Sequence, residues 1–392
     1  MPGILTARSA RGNAVTQLET GAQALSIPEI PNPVADGWTL PASWYADAGV
    51  SALERERIFA RTWQYAGRAD QVAEPGSYFA SQAAHIPILV VRGRDETLRG
   101  FVNVCRHRGH PVASGQGCRE TLQCPYHAWT YNLDGTLRRA PRAEREADFD
   151  PSGLSLRPVS VDTWGPFVFV NPDTDAPALA STLGDLPALV AESGIDLDRL
   201  RFHSHDEWTI NSNWKVAIEN FLECYHCPVA HPGFSKVIDV DPDAYLLTIS
   251  ESYSSQVGNI RPSALAGNGP AKGKPPYVPR GAVTQAQYHL IWPNTTISIE
   301  AGPMNVAMER WVPTGLGTSV EVTDYFFGED VPEEQVQEVI EFGSQVGMED
   351  LALCESVQAG LESGMVPQGR LMLGSEPLIH DFQKKVVAAL AG

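Results

Sequence analysis

The stretch Cys105-Arg106-His107-Arg108-Gly109-His110 is followed by Cys124-Pro125-Tyr126-His127, with sixteen residues between His107 and Cys124. A cysteine and a histidine thus occur close together twice, first as Cys-x-His and then as Cys-x-x-His. Each segment offers one thiolate and one imidazole, and both side chains are common metal ligands. His110 lies outside this spacing, and we interpret it as structural. The pattern predicts two short loops that meet at a metal centre.

A Rieske [2Fe–2S] centre needs this ligand set, because two cysteines hold one of its irons and two histidines hold the other. The alternative is a structural zinc site, which also accepts two cysteines and two histidines. Zinc motifs usually pair cysteine with cysteine and histidine with histidine at short spacing. Because each segment here mixes the two types, we predict a Rieske [2Fe–2S] cluster, with the ligands Cys105, His107, Cys124 and His127.

A second metal site is indicated between Glu219 and His231. His226 and His231 are five residues apart, a rotation of about 500° on a regular α-helix, so they share a face only if the helix is broken. Pro228 lies between them, and a proline removes a helical hydrogen bond and bends the chain. The sequence therefore predicts that His226 and His231 bind one mononuclear iron.

A non-haem Fe(II) site of this kind needs a carboxylate as its third ligand. Candidates are Glu349, Asp350 and Glu355, in the last predicted long helix. Asp350 falls on that helix's apolar stripe, where a carboxylate is costly unless it is paired or bound to a metal. We therefore predict Asp350 as the ligand, on a stripe made of Val336, Val339, Ile340, Val346, Leu353, Val357 and Leu361.

These motifs resemble those of the Rieske non-haem iron oxygenases, in their large (α) subunits. CRHRGH and CPYHAWTYNLDG resemble the cluster segment, and Asn213 to Pro232 resembles the mononuclear-iron motif. The resemblance runs from about Trp44 to near the C-terminus and also points to Asp350. It implies an α+β fold: a small all-β Rieske [2Fe–2S] domain, and a START/Bet v1-like catalytic domain with an antiparallel sheet flanked by helices.

Composition and periodicity divide the chain further. Residues 1–36 are predicted to be a mobile arm, 37–62 a helical segment on the catalytic domain, 63–172 the Rieske domain and 173–392 the catalytic domain. A helix capped by Ser51 and Glu54 is predicted over Ser51 to Trp63, and a hairpin at Asn132 to Thr136. A short helix is predicted over Leu183–Ser193, a further helix over Val216–Ala230 and a long helix over Pro332–Ser363. Strands are predicted over Tyr288–Ile299, Val306–Val312 and Ser319–Phe327, and a loop over Ser254–Arg280.

The resemblance also implies roles for Glu223 and Asn220. Glu223 would connect the mononuclear site to His127 of the partner subunit in a head-to-tail ring, most simply a homotrimer. Asn220 is predicted as a second catalytic residue. Most of the family has aspartate where this chain has Glu223, and glutamate is frequent in the branch that acts on carnitine- and betaine-like amines.

The function implied is that of a terminal oxygenase, a mono- or dioxygenase that uses O₂ and electrons from NAD(P)H through a reductase or ferredoxin. The favoured reaction is hydroxylation or oxidative N-demethylation of a small quaternary amine, and the runner-up is hydroxylation or dihydroxylation of an aromatic acid. A Rieske electron carrier without its own chemistry is the alternative from another class. Aromatic faces suit either substrate, and the pocket candidates are Tyr253, Tyr288, Trp292, Trp311 and Phe326.

Charge and cysteine content narrow the remaining classes. The net charge of −18 argues against nucleic-acid binding. No apolar run approaches the ~20 residues of a membrane span. An iron–sulfur site favours a reducing compartment, hence the cytoplasm, and Cys224 and Cys227 are expected to be packing residues. Six arginines lie near the cluster motif: Arg106, Arg108, Arg119, Arg138, Arg139 and Arg142. They either receive an acidic ferredoxin or balance local acids.

Overall fold

The computed structural model describes residues 26–265 and 277–392. Most of the predicted arm (residues 1–25) and part of the predicted loop (266–276) lie outside the described residues. Two seven-stranded sheets and one three-stranded sheet organise the described chain, together with two long helices near its C-terminus. The predicted α+β class is confirmed.

The N-terminal half is built from short antiparallel strands. Its larger sheet has the order β1-β10-β9-β4-β3-β2-β5 and its smaller sheet β6-β7-β8. The strands are β1 Gln64–Arg68, β2 Ser77–Ala83, β3 Ile86–Arg92, β4 Leu98–Val102, β5 Gln116–Cys118, β6 Leu122–Gln123, β7 Thr130–Tyr131, β8 Leu137–Arg139, β9 Pro158–Trp164 and β10 Phe167–Asn171. All five residues of β10 are buried, as expected for a strand covered on both faces.

The small sheet contains the predicted hairpin. Asn132 donates its backbone amide to Thr136, and β7 pairs with β8 across this turn. Gly135 has φ +86°, and a Cβ there would lie 2.4 Å from the ring of Phe101. Glycine is therefore required at this turn for conformation and for space.

The C-terminal half is a single antiparallel sheet in the order β11-β17-β16-β15-β14-β13-β12. These strands are β11 Leu200–Ile210, β12 Leu246–Ile249, β13 Tyr253–Asn259, β14 Gln285–Ile291, β15 Thr295–Ile299, β16 Asn305–Pro313 and β17 Ser319–Gly328. The helices are α1 Ala48–Glu54, α2 Leu179–Leu183, α3 Leu186–Glu192, α4 Trp214–Phe221, α5 Cys227–Ala230, α6 Phe234–Val237, α7 Pro262–Leu265, α8 Glu333–Glu362 and α9 Pro377–Ala391.

The two faces of this sheet have different neighbours. Ile297, Met308 and Phe326 pack in one apolar cluster with Tyr65 and Phe167 of the N-terminal sheet. The opposite face is covered by α4 and α8 and encloses the cavity described below. The sheet therefore joins the two halves of the chain on one side and forms the candidate site on the other.

The segment before β1 packs on the helices of the C-terminal half. Trp44 and Leu53 share a core with Trp214 of α4. Lys215 is fully buried, and its Nζ lies 2.5 Å from the buried carboxylate of Glu54. Whether residues 37–62 are a unit of their own stays a prediction, as do the other domain boundaries.

Several predicted elements are wrong in detail. The first helix begins at Ala48, and Asp47 caps it by accepting from the amide of Val50 (2.8 Å), so Ser51 is not the cap. The predicted strand over Tyr288 to Ile299 is the hairpin β14–β15. Leu183 to Ser193 contains the end of α2, a turn at Gly184 and α3. The predicted loop over Ser254 to Arg280 begins with β13, whose polar residues pair with strands on both sides.

Among the residues that the structure describes, no helix has the length and apolar character needed to cross a bilayer.

Candidate metal centres and cavity

The candidate mononuclear site is built at a break between two helices. α4 is capped by Asn213, whose side chain accepts from the amide of Lys215 (3.0 Å), and it ends at Phe221. The chain then turns before α5 starts at Cys227. Pro228 is the second residue of α5, where a proline is tolerated, so it does not cause the break predicted there. His226 and His231 lie just before and just after this short helix.

The three predicted ligands come together. Nε2 of His226 lies 3.0 Å from Nε2 of His231, and Oδ1 of Asp350 lies 2.9 Å from His231 Nε2 and 3.3 Å from His226 Nε2. Asp350 arrives from α8, 119 residues after His231 in the chain. Two imidazoles and one carboxylate that converge in this way fit a non-haem iron with open positions.

The apolar stripe that selected Asp350 is only partly correct. Val336 and Val339 are buried, but Leu353 and Val357 are exposed. The buried face instead continues through Cys354 and Gln358. Asp350 lies on this face one helical turn before Cys354 and so points towards the two histidines.

Three further polar groups hold the candidate ligands. Oε2 of Glu349 lies 2.8 Å from Nδ1 of His231. Nδ2 of Asn220 donates to Oδ1 of Asp350 (3.1 Å), and the carboxylate of Glu223 contacts Nδ1 of His226. Each ring is thus fixed through its outer nitrogen, so that Nε2 faces the centre. From the sequence, Glu349 is only an alternative metal ligand, and the sequence did not predict that it would hold His231.

Electrostatics couple these groups. Burial lowers the pKa of His226, but hydrogen bonds with Asp350 and Glu223 outweigh it and raise that pKa to about 9. Burial raises the pKa of Asp350, yet hydrogen bonds with the two histidines outweigh this effect and hold it below its usual value. The ionised carboxylate of Asp350 therefore stabilises positive charge at the point where it meets His226 and His231. A divalent metal ion bound there would supply that charge.

Cys224 and Cys227 form a disulfide, whereas the sequence predicted packing residues. They are three residues apart where the chain turns from α4 into α5, and their Cα atoms are 4.9 Å apart, within the range that a disulfide spans. Both residues border the cavity beside His226.

The predicted cluster ligands also converge. Cys105 and Cys124 are buried, and the rings of His107 and His127 lie 4.5 Å apart at the surface. Each loop closes on itself: Gly109 donates to the carbonyl of Cys105 (3.0 Å) and Ala128 to that of Cys124 (3.0 Å). Two buried thiols and two imidazoles at the surface fit the ligand set that would hold a Rieske cluster.

Tyr131 is a further group at this centre that the sequence did not single out. Its hydroxyl accepts from the amide of Arg106 (3.0 Å) and lies 3.3 Å from Sγ of Cys105. Because the hydroxyl oxygen accepts the amide proton, its own proton can be donated to the sulfur.

A cavity of about 180 Å³ adjoins the candidate mononuclear site. Of the five predicted pocket aromatics, Tyr288 and Trp311 border it. Phe326 and Tyr253 belong to the apolar core on the other face of the sheet, and Trp292 packs against the core around Trp214. Aromatic residues that the sequence missed at this cavity are Trp208, Phe221, Phe234, Tyr245, Tyr325 and Phe327.

Three glutamates on the sheet also border the cavity, and the sequence missed them too. Burial raises the pKa of Glu300 to about 7, that of Glu309 to about 7 and that of Glu321 to about 8. Around Glu300 and Glu321 polar and apolar residues alternate, a pattern that usually marks a solvent-facing side, and Glu309 is followed by a second charged residue, Arg310.

Comparison with known families gives two matches. Residues 62–161 match the Rieske [2Fe-2S] domain, and residues 197–392 match the catalytic domain of the ring hydroxylating alpha subunit. These matches, with the converging side chains, support an iron–sulfur cluster in the first region and a non-haem iron in the second.

Relatives cover most of the chain. The carnitine monooxygenase oxygenase subunit of Escherichia coli (strain K12) is 35% identical over 347 residues, which are 87% of this chain and 89% of the relative. The chloroplastic choline monooxygenase of Spinacia oleracea is 32% identical over 358 residues, 89% of this chain and 78% of the relative.

Two solved structures are similar to this chain over most of its length. The quaternary ammonium Rieske monooxygenase CntA in complex with L-carnitine has a TM-score of 0.78 and 30% identity, over 93% of this chain and 99% of that one. Naphthalene 1,2-dioxygenase from Rhodococcus sp., at 21% identity, 90% and 94% coverage and a TM-score of 0.73, shares the fold. The chain therefore belongs to the Rieske non-haem iron oxygenases, as an α subunit in the branch that contains the carnitine and choline monooxygenases.

Proposed function

We propose that this oxygenase hydroxylates or oxidatively N-demethylates a small quaternary-ammonium substrate. In such a reaction one atom of O₂ enters a C–H bond and the other leaves as water, with two electrons and two protons supplied. The observation that carries the proposal is the cavity beside His226, His231 and Asp350, which combines aromatic faces with carboxylates. Aromatic rings and buried anions both stabilise a cation that has few hydrogen-bond donors. The names of the relatives point to the same substrate class.

Roles follow for the residues around the two centres. We assign Cys105, His107, Cys124 and His127 as ligands of the cluster. The ligands assigned to the mononuclear iron are His226, His231 and Asp350. When bound, the iron supplies O₂ activation with electrons that arrive through the cluster. Glu349 and Asn220 position His231 and Asp350 for this purpose, through the contacts already described.

Glu223 is proposed to link the mononuclear site to His127 of the partner subunit. Its carboxylate holds Nδ1 of His226, the nitrogen that faces away from the iron position. Large apolar side chains are exposed beside both centres: Tyr126 is 51% exposed, Tyr225 60% and Val229 87%. Burying them against a neighbour would support the head-to-tail homotrimer that the sequence predicts.

The electron donor is proposed to be a ferredoxin or an NAD(P)H-linked reductase that binds near the cluster. All six arginines of the cluster region are exposed. Within residues 26–265 and 277–392, none of the six lies in an ion pair with an acid. This favours the docking interpretation over simple local charge balance. The cytoplasm stays a prediction that depends on the iron–sulfur centre.

The test is turnover by the iron-loaded protein with a reductase. Choline, L-carnitine, glycine betaine and benzoate would each be supplied, with O₂ uptake and formaldehyde measured together. We expect coupled O₂ uptake with at least one quaternary amine, and formaldehyde if a methyl group is removed. Turnover of benzoate alone would favour the aromatic alternative. An electron carrier without its own chemistry would not need the catalytic domain that residues 197–392 match.

The link through Glu223 has its own test. Glu223→Ala should weaken Fe(II) binding, because His226 loses the carboxylate at its Nδ1. At saturating Fe(II) it should still hold both metal centres, seen by iron content and cluster absorption, but should lose substrate turnover. Glu341→Gln, an exposed change on α8, serves as the control. Normal turnover by Glu223→Ala would contradict the link.

A further inference from the structure

The cavity-facing side of the catalytic sheet has an unusual concentration of buried acids. Glu309 of β16 lies opposite Thr296 and Thr323 in the neighbouring strands, and Glu321 of β17 lies opposite Trp311. Glu300 directly follows β15. Glu300 and Glu309 are each 8% exposed. Ionised carboxylates in such a place need a cationic partner or a proton.

The described residues supply only neutral partners. The hydroxyl of Tyr288 donates to the carboxylate of Glu300 (3.0 Å to each oxygen), and Thr296 donates to Glu309. No lysine or arginine is among the residues that border the cavity in the described part of the chain. Arg310, next to Glu309, points to the other face of the sheet and donates to Ser81 Oγ (2.6 Å).

A second observation at the same cavity also points to a ligand. Gln256 is 2% exposed and borders the cavity, and its Nε2 donates to the carbonyl of Phe221. Its Oε1 is buried and has no donor within the described structure. A buried acceptor of this kind is costly unless a bound molecule supplies a donor or a positive charge.

We propose that Glu300, Glu309 and Gln256 form the subsite that selects the substrate, and that they select an organic cation without an acidic group. The inference rests on the proposed function and narrows it: a trimethylammonium alcohol fits, and zwitterions such as carnitine or betaine are disfavoured. In a cavity of about 180 Å³ the carboxylate of a zwitterion lies close to these acids. Like charges at that distance repel strongly in a low-dielectric site.

Binding of a cation at this subsite should change the protonation of Glu300 and Glu309, and this change can be measured. Because burial raises the pKa of Glu300 and Glu309 to about 7, part of each is protonated at neutral pH. A bound cation favours the ionised form, so binding should release protons. The titratable groups that interact with these two acids are Tyr245, Tyr277, Tyr288, Glu321 and Tyr325, and Glu223 borders the same cavity.

The experiment is anaerobic calorimetry of the iron-loaded protein with choline, glycine betaine and L-carnitine, in two buffers with different ionisation enthalpies. We expect choline to bind with proton release and about tenfold or more tighter than either zwitterion. Glu300→Gln and Glu309→Gln should each weaken choline binding by about tenfold at pH 8 and reduce the proton release. The exposed control Glu341→Gln should bind like the parent. Circular dichroism and iron content would show that the variants fold.

The outcomes separate the two proposals. Equal or tighter binding of the zwitterions, or unchanged choline affinity in both folded glutamine variants, would overturn the subsite while the quaternary-amine oxygenase stands. Failure of all three amines to bind or to be oxidised would overturn the proposed function as well.

Discussion

Lys215 of α4 forms a buried ion pair with Glu54, and Lys215→Met should lower the stability of the fold around the candidate site. Methionine keeps much of the apolar stem but leaves the Glu54 carboxylate buried without a cation. Removing one partner of a buried pair costs about 3–5 kcal/mol. The indole Nε1 of Trp214 still donates to Glu54 (3.0 Å), which favours the lower end of that range. For a domain of this size each kcal/mol lowers Tm by about 2–4 °C, so we expect a fall of about 10 °C.

The assay is thermal unfolding of the iron-loaded protein by calorimetry, which resolves separate transitions. Glu54→Gln together with Lys215→Met should recover most of the loss, because the amide oxygen still accepts from Trp214 and no charge stays buried. Lys384→Met, at an exposed position on α9, is the control. A Tm for Lys215→Met within about 2 °C of the parent would refute the reasoning. So would a double variant no more stable than the single one.

Three other predictions concern the two centres and the cavity. Glu349→Gln should weaken Fe(II) binding by about 10–100-fold in a metal titration, because His231 loses the carboxylate at its Nδ1, while cluster absorption stays unchanged. Tyr131→Phe should lower the cluster's reduction potential by about 40 mV in a redox titration, the one-electron equivalent of a hydrogen bond of about 1 kcal/mol. Choline affinity should rise as pH increases through about 7 and then level off, because Glu300 and Glu309 ionise there; a flat profile would contradict this.

The side chains that were predicted to converge, and that do lie together in the structure, were recognised from short-range sequence patterns. Cys105 to His127 holds two complete ligand pairs, and His226 and His231 are close together because they lie at the two ends of the short helix α5. Asp350 was predicted because an acid on an apolar helical face is conspicuous, and it does lie beside the two histidines, although Leu353 and Val357 are exposed.

The cavity acids could not be found in this way. Around Glu300 and Glu321 polar and apolar residues alternate, which normally indicates a water-facing side of an antiparallel sheet, and Glu309 stands beside a second charged residue, Arg310. Only the packing of α4 and α8 over this side turns it into an interior surface. Such packing depends on contacts between segments far apart in sequence, which strand periodicity does not contain.

The different spans of the two donor sets have a consequence for how the protein matures. The four cluster donors lie within the 23 residues from Cys105 to His127, whereas Asp350 joins His231 from 119 residues away. We therefore expect the sulfide-bridged irons to be inserted before the C-terminal part of the chain, with α8, has been synthesised. The mononuclear iron can be bound by all three side chains only after α8 has been synthesised and has docked. We therefore expect this order of assembly to limit oxygen activation at an incomplete iron site.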